Sequence, residues 1–207
     1  MDILLTQIAK RYRYDWIYRN LDYHFQAGHS YAILGPNGSG KSTLLRVLSG
    51  HLTPSRGKVV FKKDGKEMAI DEVYRYMSYA APYIDVIEEL TLTEAIAFHR
   101  RFKNFVSDLP KDEDVIALLG FQKSADKQIR NFSSGMKQRL KLVFAICTDT
   151  PVLLLDEPTT NLDQQGFDWY RMLIEKYAKG RLVIVASNVA MDYDFCDEVL
   201  NIEDYKK

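Results

Sequence analysis

A short run of residues in the first quarter of the chain has the types and spacing of a phosphate-binding loop. It consists of Gly35, Pro36, Asn37, Gly38, Ser39, Gly40, Lys41, Ser42 and Thr43. In a G-x-x-x-x-G-K-[ST] loop the glycines adopt backbone angles that other residues rarely reach, so successive N–H groups face phosphate oxygens. We therefore expect Lys41 to contact the β- and γ-phosphates of a nucleotide, and Ser42 to ligate Mg²⁺.

The residues on either side of this loop predict the elements that position it. Residues 31–34 are apolar and predict a short strand, and residues 42–48 have a helical pattern. The positive N-terminal end of that helix would point at the phosphates. A strand, a loop and a helix in this order form the context in which the motif binds nucleotide. The context argues against a glycine-rich turn that binds nothing.

Two acids supply the second half of the expected chemistry. Asp156 and Glu157 follow residues 152–155, an apolar run that predicts a buried strand. Because ligands bind at the carboxyl ends of parallel strands, Asp156 is predicted to hold Mg²⁺, directly or through water. Glu157 is then available as general base for the attacking water, or to orient it. The alternative is a strand that ends in solvated acids, and the phosphate loop upstream argues against it.

A third segment, Ser133, Ser134 and Gly135, precedes a helical stretch over residues 134–145. These residues can cap the helix and present N–H groups at its positive end, which would make a second anion site. An ordinary helix N-cap is the alternative. The position of the segment just before the acidic strand favours a functional role.

Bulk properties restrict the class of protein. The chain has 207 residues, 46% of them hydrophobic, and 28 Lys+Arg balance 28 Asp+Glu. Zero net charge removes a general electrostatic attraction to nucleic acid, so no nucleic-acid partner is expected. No apolar run approaches the ~20 residues of a membrane span, and the first residues do not resemble a signal peptide. Cys147 and Cys196 are isolated, which favours reduced thiols in a cytoplasmic protein.

The remaining patterns predict strands and helices in alternation. Strands are expected over residues 21–25 and 57–61, and buried strands return after Pro151 with a helix around residues 168–177. Between them lie three helices. Thr91 and Glu94 form a capping box that opens the first, which is predicted to run through Ala95, Ile96, Phe98 and Phe102. The second begins near Pro110 and Asp112 and ends at Gly120, and the third begins at Ser134. The pattern favours an α/β protein with a mainly parallel sheet.

The order and spacing of these segments, from Tyr12 to Asn188, resemble the ATP-binding cassette (ABC) ATPases. The shared segments are residues 35–43, 132–136, 152–157 and, after Pro158, 159–163. The resemblance implies ATP and Mg²⁺ as ligands and a P-loop NTPase fold in one domain, 1–207. It implies a catalytic core with an N-terminal antiparallel β-subdomain over 1–81 and 146–207. An inserted α-helical subdomain is expected over 82–145.

The resemblance also implies that two cassettes pair head to tail. Residues Ser133, Ser134 and Gly135 of one copy would face the γ-phosphate held by Lys41 of the other. Asp163 would lie in the loop that crosses between the copies. Tyr12 falls where the family places an aromatic ring on adenine. Tyr14 and Trp16 are close enough to compete for that role, and packing at a strand edge is the alternative for Tyr12.

Three segments depart from the family pattern. The family's glutamine at the start of the helical subdomain is replaced by Pro82, which has neither an amide side chain nor a backbone N–H. The family's Gly-Gly-Gln in the signature segment is Ser134, Gly135 and Met136 here. Asn188 replaces the histidine after the last core strand, and asparagine can donate a hydrogen bond to phosphate but cannot carry charge. Nucleotide binding is expected to be intact, with Lys41, Glu157 and Asn188 as catalytic residues and slow hydrolysis.

The leading hypothesis is the ATP-binding and ATP-hydrolysing subunit of an ABC transporter. It would work through separate transmembrane permease subunits and lie peripherally on the cytoplasmic face of the membrane. Residues 83–89 and 91–102 would dock on those subunits, and local core packing is the alternative for the apolar residues there. The other candidates are a soluble ATPase acting on nucleic acid or ribosomes, and a nucleotide-gated module with little hydrolysis. The small size of the chain is similar to that of the haem-export ATPases of cytochrome c maturation and of other small export cassettes.

Overall fold

A computed structural model describes residues 1–206 and divides the chain into two compact units. The first unit comprises Met1–Tyr79, Thr150–Glu157 and the residues from Gly180 onward. The second comprises Ala80–Asp149 and Pro158–Lys179.

Nine strands form two sheets among the described residues. They are β1 (Asp2–Tyr12), β2 (Asp15–Phe25), β3 (Ser30–Leu34), β4 (Arg56–Lys63), β5 (Lys66–Glu67), β6 (Met77–Ala80), β7 (Val152–Asp156), β8 (Leu182–Ala186) and β9 (Glu198–Asn201). The first sheet has the order β2-β1-β4-β5, and its pairs are antiparallel. The second has the order β6-β7-β8-β3-β9, in which β7, β8, β3 and β9 pair in parallel.

The register of the parallel sheet brings several chain segments to one edge. Ala186, the last residue of β8, lies opposite both Ile33 of β3 and Asp156 of β7. The carboxyl ends of these three strands therefore lie side by side, as the sequence requires for a site at that edge. Every residue of β7 and β8 is buried, which explains why both strands are continuous apolar runs.

Residues 1–206 contain five α-helices, with the bounds α1 (Lys41–Leu48), α2 (Leu92–Arg100), α3 (Asp112–Leu119), α4 (Ser134–Ile146) and α5 (Gln164–Tyr177). The capping box at α2 is present: Thr91 Oγ1 accepts from the Glu94 amide at 3.2 Å, and Glu94 Oε2 accepts from the Thr91 amide at 2.8 Å. Gly120 ends α3 in the left-handed conformation, with φ 73°. None of these helices is long and apolar enough to cross a membrane within the described chain.

One helix boundary differs from the sequence prediction. Helix α2 ends at Arg100, so Phe102 lies beyond it, and the predicted continuation through Phe102 is wrong. The Phe102 side chain is 72% exposed, and its ring contacts that of Phe98 in a tilted arrangement with centroids 5.0 Å apart. The phenylalanine spacing matched a helical period, but no core contact at Phe102 sustains another turn.

The core of the first unit lies between α1 and the two sheets. Leu44, Leu45 and Leu48 of α1 are fully buried with Leu154 of β7 and Ile184 of β8 in one apolar cluster. Burying each such side chain contributes about 2 kcal/mol. This packing holds α1, which follows the phosphate loop, against β7 and β8, and β7 ends at Asp156.

Candidate active site

The loop over residues 35–43 joins β3 to α1 and has the turns that its glycines were expected to allow. Gly35, Gly38 and Gly40 have φ of 147°, 78° and 109°. A Cβ on Gly40 would lie 2.2 Å from Cγ2 of Ile17, and one on Gly35 would lie 2.7 Å from Oγ of Ser39. Gly35 and Gly40 therefore have to be glycine for two reasons: a Cβ would clash with a neighbouring side chain, and φ is positive.

Lys41 is buried inside this loop, with 5% of its surface exposed. Its Nζ donates to the carbonyl oxygens of Gly35, at 2.7 Å, and Pro36, at 3.3 Å. Burial lowers the pKa of the Lys41 ammonium, and the nearby charges of Glu157 and Asp156 oppose that shift. The side chain is thus folded over the loop, where its charge faces the space that the loop encloses.

A cavity of about 230 Å³ opens at the loop. It is lined by Ile17, Asn37, Gly38, Gly40, Lys41, Ser42, Thr43 and Glu157. The structure therefore brings six of the nine predicted loop residues together with the predicted general base, Glu157, which follows them by more than 110 positions in the chain. Gly35, Pro36 and Ser39 belong to the loop but do not line the cavity. Ile17 is a lining residue that sequence reasoning missed. It lies in β2, and no pattern distinguishes it there from an ordinary strand residue.

The two acids stand where β7 ends. Asp156 is 1% exposed, and the Glu157 amide donates to the carbonyl oxygen of Ala186 at 2.8 Å. Glu157 has φ 44°, a left-handed conformation that costs a residue with a Cβ about 1 kcal/mol or more. Such strain persists where the surroundings fix it, and here it sets the direction in which the Glu157 side chain leaves the strand.

Asn188 reaches the phosphate loop from the end of β8. Its Nδ2 donates to Oδ1 of Asn37 at 2.8 Å. The preceding residue, Ser187, is buried and donates from Oγ to Oδ2 of Asp192 at 2.5 Å. The predicted catalytic position therefore contacts a residue that lines the cavity.

The three aromatic candidates for stacking on a base differ in their surroundings. The Tyr12 side chain is 46% exposed, with Lys10 Nζ 5.4 Å from its ring centre, and Tyr14 is 93% exposed. Trp16 is surrounded by guanidinium groups of Arg11, Arg19 and Arg56, at 5.5, 5.8 and 5.1 Å from its ring. Three cations thus lie over the Trp16 ring and one lies over Tyr12, and both tyrosines are more exposed than Trp16.

In the second unit, the predicted signature residues form a helix start. Ser133 is the N-cap of α4, because its Oγ accepts from the Met136 amide at 3.2 Å. A Cβ on Gly135 would lie 3.1 Å from the carbonyl oxygen of Asn161, so the loop before α5 packs closely on α4. Asp163 caps α5 by accepting from the Gly166 amide at 2.8 Å.

Pro82 also has a defined partner in this unit. Its carbonyl oxygen accepts from Nζ of Lys141 at 3.1 Å, and the same ammonium lies 3.3 Å from Asp85. Four residues before it on α4, Lys137 pairs with Glu88 at 2.5 Å. The segment that follows β6 is therefore fastened to the helix that begins at Ser133.

The residues of the loop fit a nucleotide with a divalent cation. Ser39 Oγ is buried and has no hydrogen-bond partner within residues 1–206, although it lies inside the anion-binding loop. No group of three or more His, Cys, Asp or Glu side chains able to hold a metal ion is found in that range either. The two predicted metal ligands, Ser42 and Asp156, would supply only two oxygen atoms, which suits Mg²⁺, since this ion takes its other ligands from phosphate and water.

Comparison with known proteins identifies the family. The family described as ABC transporter matches residues 18–160, which is more than half of the chain. The chain belongs to this family. The ABC chain is similar to YybJ, an uncharacterized ABC transporter ATP-binding protein of Bacillus subtilis, with 28% identity over 97% of this chain and 92% of YybJ. These matches confirm the resemblance and place the chain among the ATP-binding subunits of ABC transporters.

A second relative and a solved structure extend the comparison. The cytochrome c biogenesis ATP-binding export protein CcmA of Rhizobium etli is 32% identical over 91% of this ABC chain and 88% of CcmA. A dimeric ATP-binding cassette in a post-hydrolysis state, bound to ADP and Pi, matches with a TM-score of 0.78. The match covers 96% of this chain and 93% of that one at 21% identity, so it concerns the fold, and it confirms the predicted α/β P-loop architecture.

Proposed function

We propose that this ABC subunit hydrolyses ATP and uses the reaction to drive transport through separate membrane subunits. The observation that carries the proposal is the cavity at the phosphate loop, which is lined by both Lys41 and Glu157. A cation for the phosphates and a carboxylate for the water are the two groups that hydrolysis of a phosphoanhydride requires. Family membership and the likeness to a cassette holding ADP and Pi support it.

Each predicted residue has a role in this proposal. The backbone of residues 35–43 holds the phosphates, and Lys41 neutralises charge on the β- and γ-phosphates. Ser42 and Asp156 hold Mg²⁺, which when bound neutralises charge that develops on the phosphate oxygens. Tyr12 or Tyr14 stacks on adenine, because the Trp16 ring is already covered by arginines.

Glu157 activates the water. It accepts a proton as the water oxygen forms a bond to the γ-phosphorus and the bond to the bridging oxygen of ADP breaks. The products are ADP and phosphate, and Glu157 then releases its proton to solvent. The left-handed backbone of Glu157 and its bond to Ala186 fix the carboxylate at the cavity. Asn188 donates to a γ-phosphate oxygen from its position beside Asn37 of the loop.

The proposal includes a head-to-tail pair of chains. Ser133, Ser134 and Gly135 of one copy complete the site around the γ-phosphate held by Lys41 of the other, and Asp163 lies in the loop between the copies. The N-terminal end of α4 favours an anion there. Hydrolysis removes charge that bridges the copies and lets them part.

Membrane subunits would contact the second unit, on the cytoplasmic face of the membrane. Several large apolar side chains are exposed in this unit, and they are Tyr83, Ile84, Ile87, Phe98 and Phe102. Exposed apolar clusters mark partner surfaces. The first three lie in the segment that Lys137 and Lys141 fasten to α4, so a partner at this segment would act on the helix that begins at Ser133.

A nucleotide-gated module with little hydrolysis is the second candidate function. It is favoured by Pro82 and Asn188, which replace two groups that contact the lytic water or the γ-phosphate in the family. Binding residues are unaffected by these replacements. The two candidates therefore differ in turnover and agree in ATP affinity.

The test is steady-state ATP hydrolysis by the purified chain and by Glu157→Gln, with Glu72→Gln, an exposed acid of the same unit, as control. Removing a general base is expected to lower turnover by about 100-fold. A wild-type rate equal to that of Glu157→Gln supports the gated module instead. Purification from solubilised membranes tests the coupling: a membrane protein should co-purify, and ribosomes or nucleic acid in its place would overturn the transport role.

A further inference from the structure

Residues 187–192 form a closed ring of hydrogen bonds after β8. Ser187 Oγ donates to Asp192 Oδ2 at 2.5 Å and accepts from the Val189 amide at 3.0 Å. The Asp192 amide donates to the Val189 carbonyl oxygen at 3.0 Å. Ser187 and Asp192 are each 1% exposed, so the bond to the carboxylate is made away from water, where it is strongest.

Asn188 lies within this ring, and its side chain points out of the ring toward the phosphate loop. Its neighbours on both sides are fixed, Ser187 by its hydroxyl and Val189 by its amide and carbonyl groups. The backbone of Asn188 therefore has little freedom, although the residue itself is exposed. Its Nδ2 is directed at Oδ1 of Asn37, in the wall of the cavity.

The same stretch of chain also supports the general base. Ala186, directly before the ring, accepts the hydrogen bond from the Glu157 amide at 2.8 Å. Three consecutive residues thus have linked tasks: Ala186 holds Glu157, Ser187 closes the ring, and Asn188 reaches the phosphate loop. Ala186 is itself held in the sheet by its ladder partners Ile33 and Asp156, so loss of the ring would displace the Asn188 amide and leave Glu157 in place. Small misplacements at a reacting centre are costly.

We propose that Ser187 and Asp192 are positioning residues for the reaction, because their bond aims the Asn188 amide at the phosphate loop. The inference rests on the proposed function, in which Asn188 contacts the γ-phosphate. Neither Ser187 nor Asp192 touches the cavity, so both act through Asn188. A buried carboxylate is costly unless it is hydrogen-bonded, and here the Ser187 hydroxyl donates to it.

A double-mutant cycle separates positioning from general stability. Asp192→Ala is expected to lower kcat about 10-fold and to change KM for ATP by less than about twofold, since the phosphate loop is untouched. In an Asn188→Ala background the same substitution is expected to lower kcat by less than about twofold. The proposal is overturned if Asp192→Ala lowers kcat equally in both backgrounds, or if the substitution raises KM for ATP and leaves kcat unchanged.

Two further variants complete the cycle. Asp71→Ala, an exposed aspartate of the same unit, is the control and should leave kcat unchanged. Ser187→Ala keeps the carboxylate and replaces Asp192→Ala should that variant not fold, with the same dependence on Asn188 expected. Asp192→Asn keeps an acceptor oxygen for Ser187 and should restore most of the turnover.

A second measurement does not need hydrolysis. The side-chain amide resonance of Asn188, assigned by its loss in Asn188→Ala, should shift in Asn37→Ala and in Asp192→Ala but not in Asp71→Ala. No shift in Asp192→Ala overturns the positioning role even if the chain proves inactive. Wild-type turnover no higher than the residual rate of Glu157→Gln would instead overturn the proposed function, so the two failures are distinct.

Discussion

The Glu157 amide and the Ala186 carbonyl oxygen are joined by a 2.8 Å hydrogen bond across the ends of β7 and β8. The bond extends the parallel ladder one residue beyond Asp156, into the residue with φ 44°. The general base proposed here is therefore held by its backbone, and its side chain is left to face the cavity.

The first prediction concerns pairing of two chains. Glu157→Gln keeps the shape of the site but slows hydrolysis, so ATP should accumulate between the copies and hold them together. Gel filtration of this variant should show a dimer with ATP and a monomer without it. Adding Lys41→Ala should abolish the dimer, because the phosphates lose their main cation. A monomer at all ATP concentrations would contradict the proposed sandwich.

The second prediction concerns Asn188. Histidine can donate a hydrogen bond and carry charge, so Asn188→His should raise turnover about 10-fold if the γ-phosphate contact limits the reaction. The measurement is kcat at saturating ATP. Asn188→Gln, an amide on a longer side chain, is the matched control and should not exceed the wild type. An unchanged rate for the histidine variant would mean that asparagine already suffices.

The third prediction concerns Gly40. An alanine there combines φ 109° with a Cβ 2.2 Å from Ile17, so Gly40→Ala should cost about 3 kcal/mol of unfolding free energy. Gly38 has φ 78° but no atom within 4 Å of a built Cβ, so Gly38→Ala should cost about 1 kcal/mol. Urea unfolding measures both. Ile17→Ala in the Gly40→Ala background should recover part of the loss, and no recovery would show that the close contact is unimportant.

The fourth prediction concerns His99 in the second unit. Its ring stacks on Phe144 with centroids 4.5 Å apart, and Nε2 bonds Thr148 Oγ1 at 2.8 Å. Because the Thr148 hydroxyl donates to the Phe144 carbonyl oxygen, it accepts from His99, which places the proton on Nε2. Burial, with smaller contributions from Lys103 and Arg100, lowers the pKa of His99 from 6.5 to about 4.

The sign of the resulting pH dependence follows from that shift. Between pH 6.5 and about pH 4 the unfolded chain binds the proton and the folded chain does not, so unfolding free energy falls as the pH falls. The loss from this group approaches about 3 kcal/mol. His99→Gln should flatten the curve measured by urea unfolding, and His24→Gln, at an exposed site, should not. Equal slopes in all three proteins would contradict the assignment.

Local patterns predicted much of the fold, because each rests on neighbouring residues. The capping box at Thr91, the left-handed end at Gly120 and the loop glycines all follow from short-range geometry. Phe102 was placed in a helix because its spacing fits a helical period, and only tertiary packing shows that the helix has ended.

The parts of the site that sequence could not supply are contacts between distant segments. Ile17 enters the cavity from β2, and Asn188 meets Asn37 across 151 positions of chain. The ring through Ser187 and Asp192 also depends on which hydroxyl and carboxylate are buried together. The type of each side chain determines its chemistry, and the order of the strands in the sheet determines which side chains come into contact.

The position of β3 has a consequence for how the protein is made. This strand leads into the phosphate loop, yet its two partners in the sheet are β8 and β9, which begin at Leu182 and Glu198. A nascent chain on the ribosome has completed the loop sequence long before either partner strand is translated. Translation at ~5–20 residues per second leaves this strand unpaired for roughly ten seconds or more. The strand that leads into the phosphate loop therefore gains its sheet neighbours only when β8 and β9 have emerged.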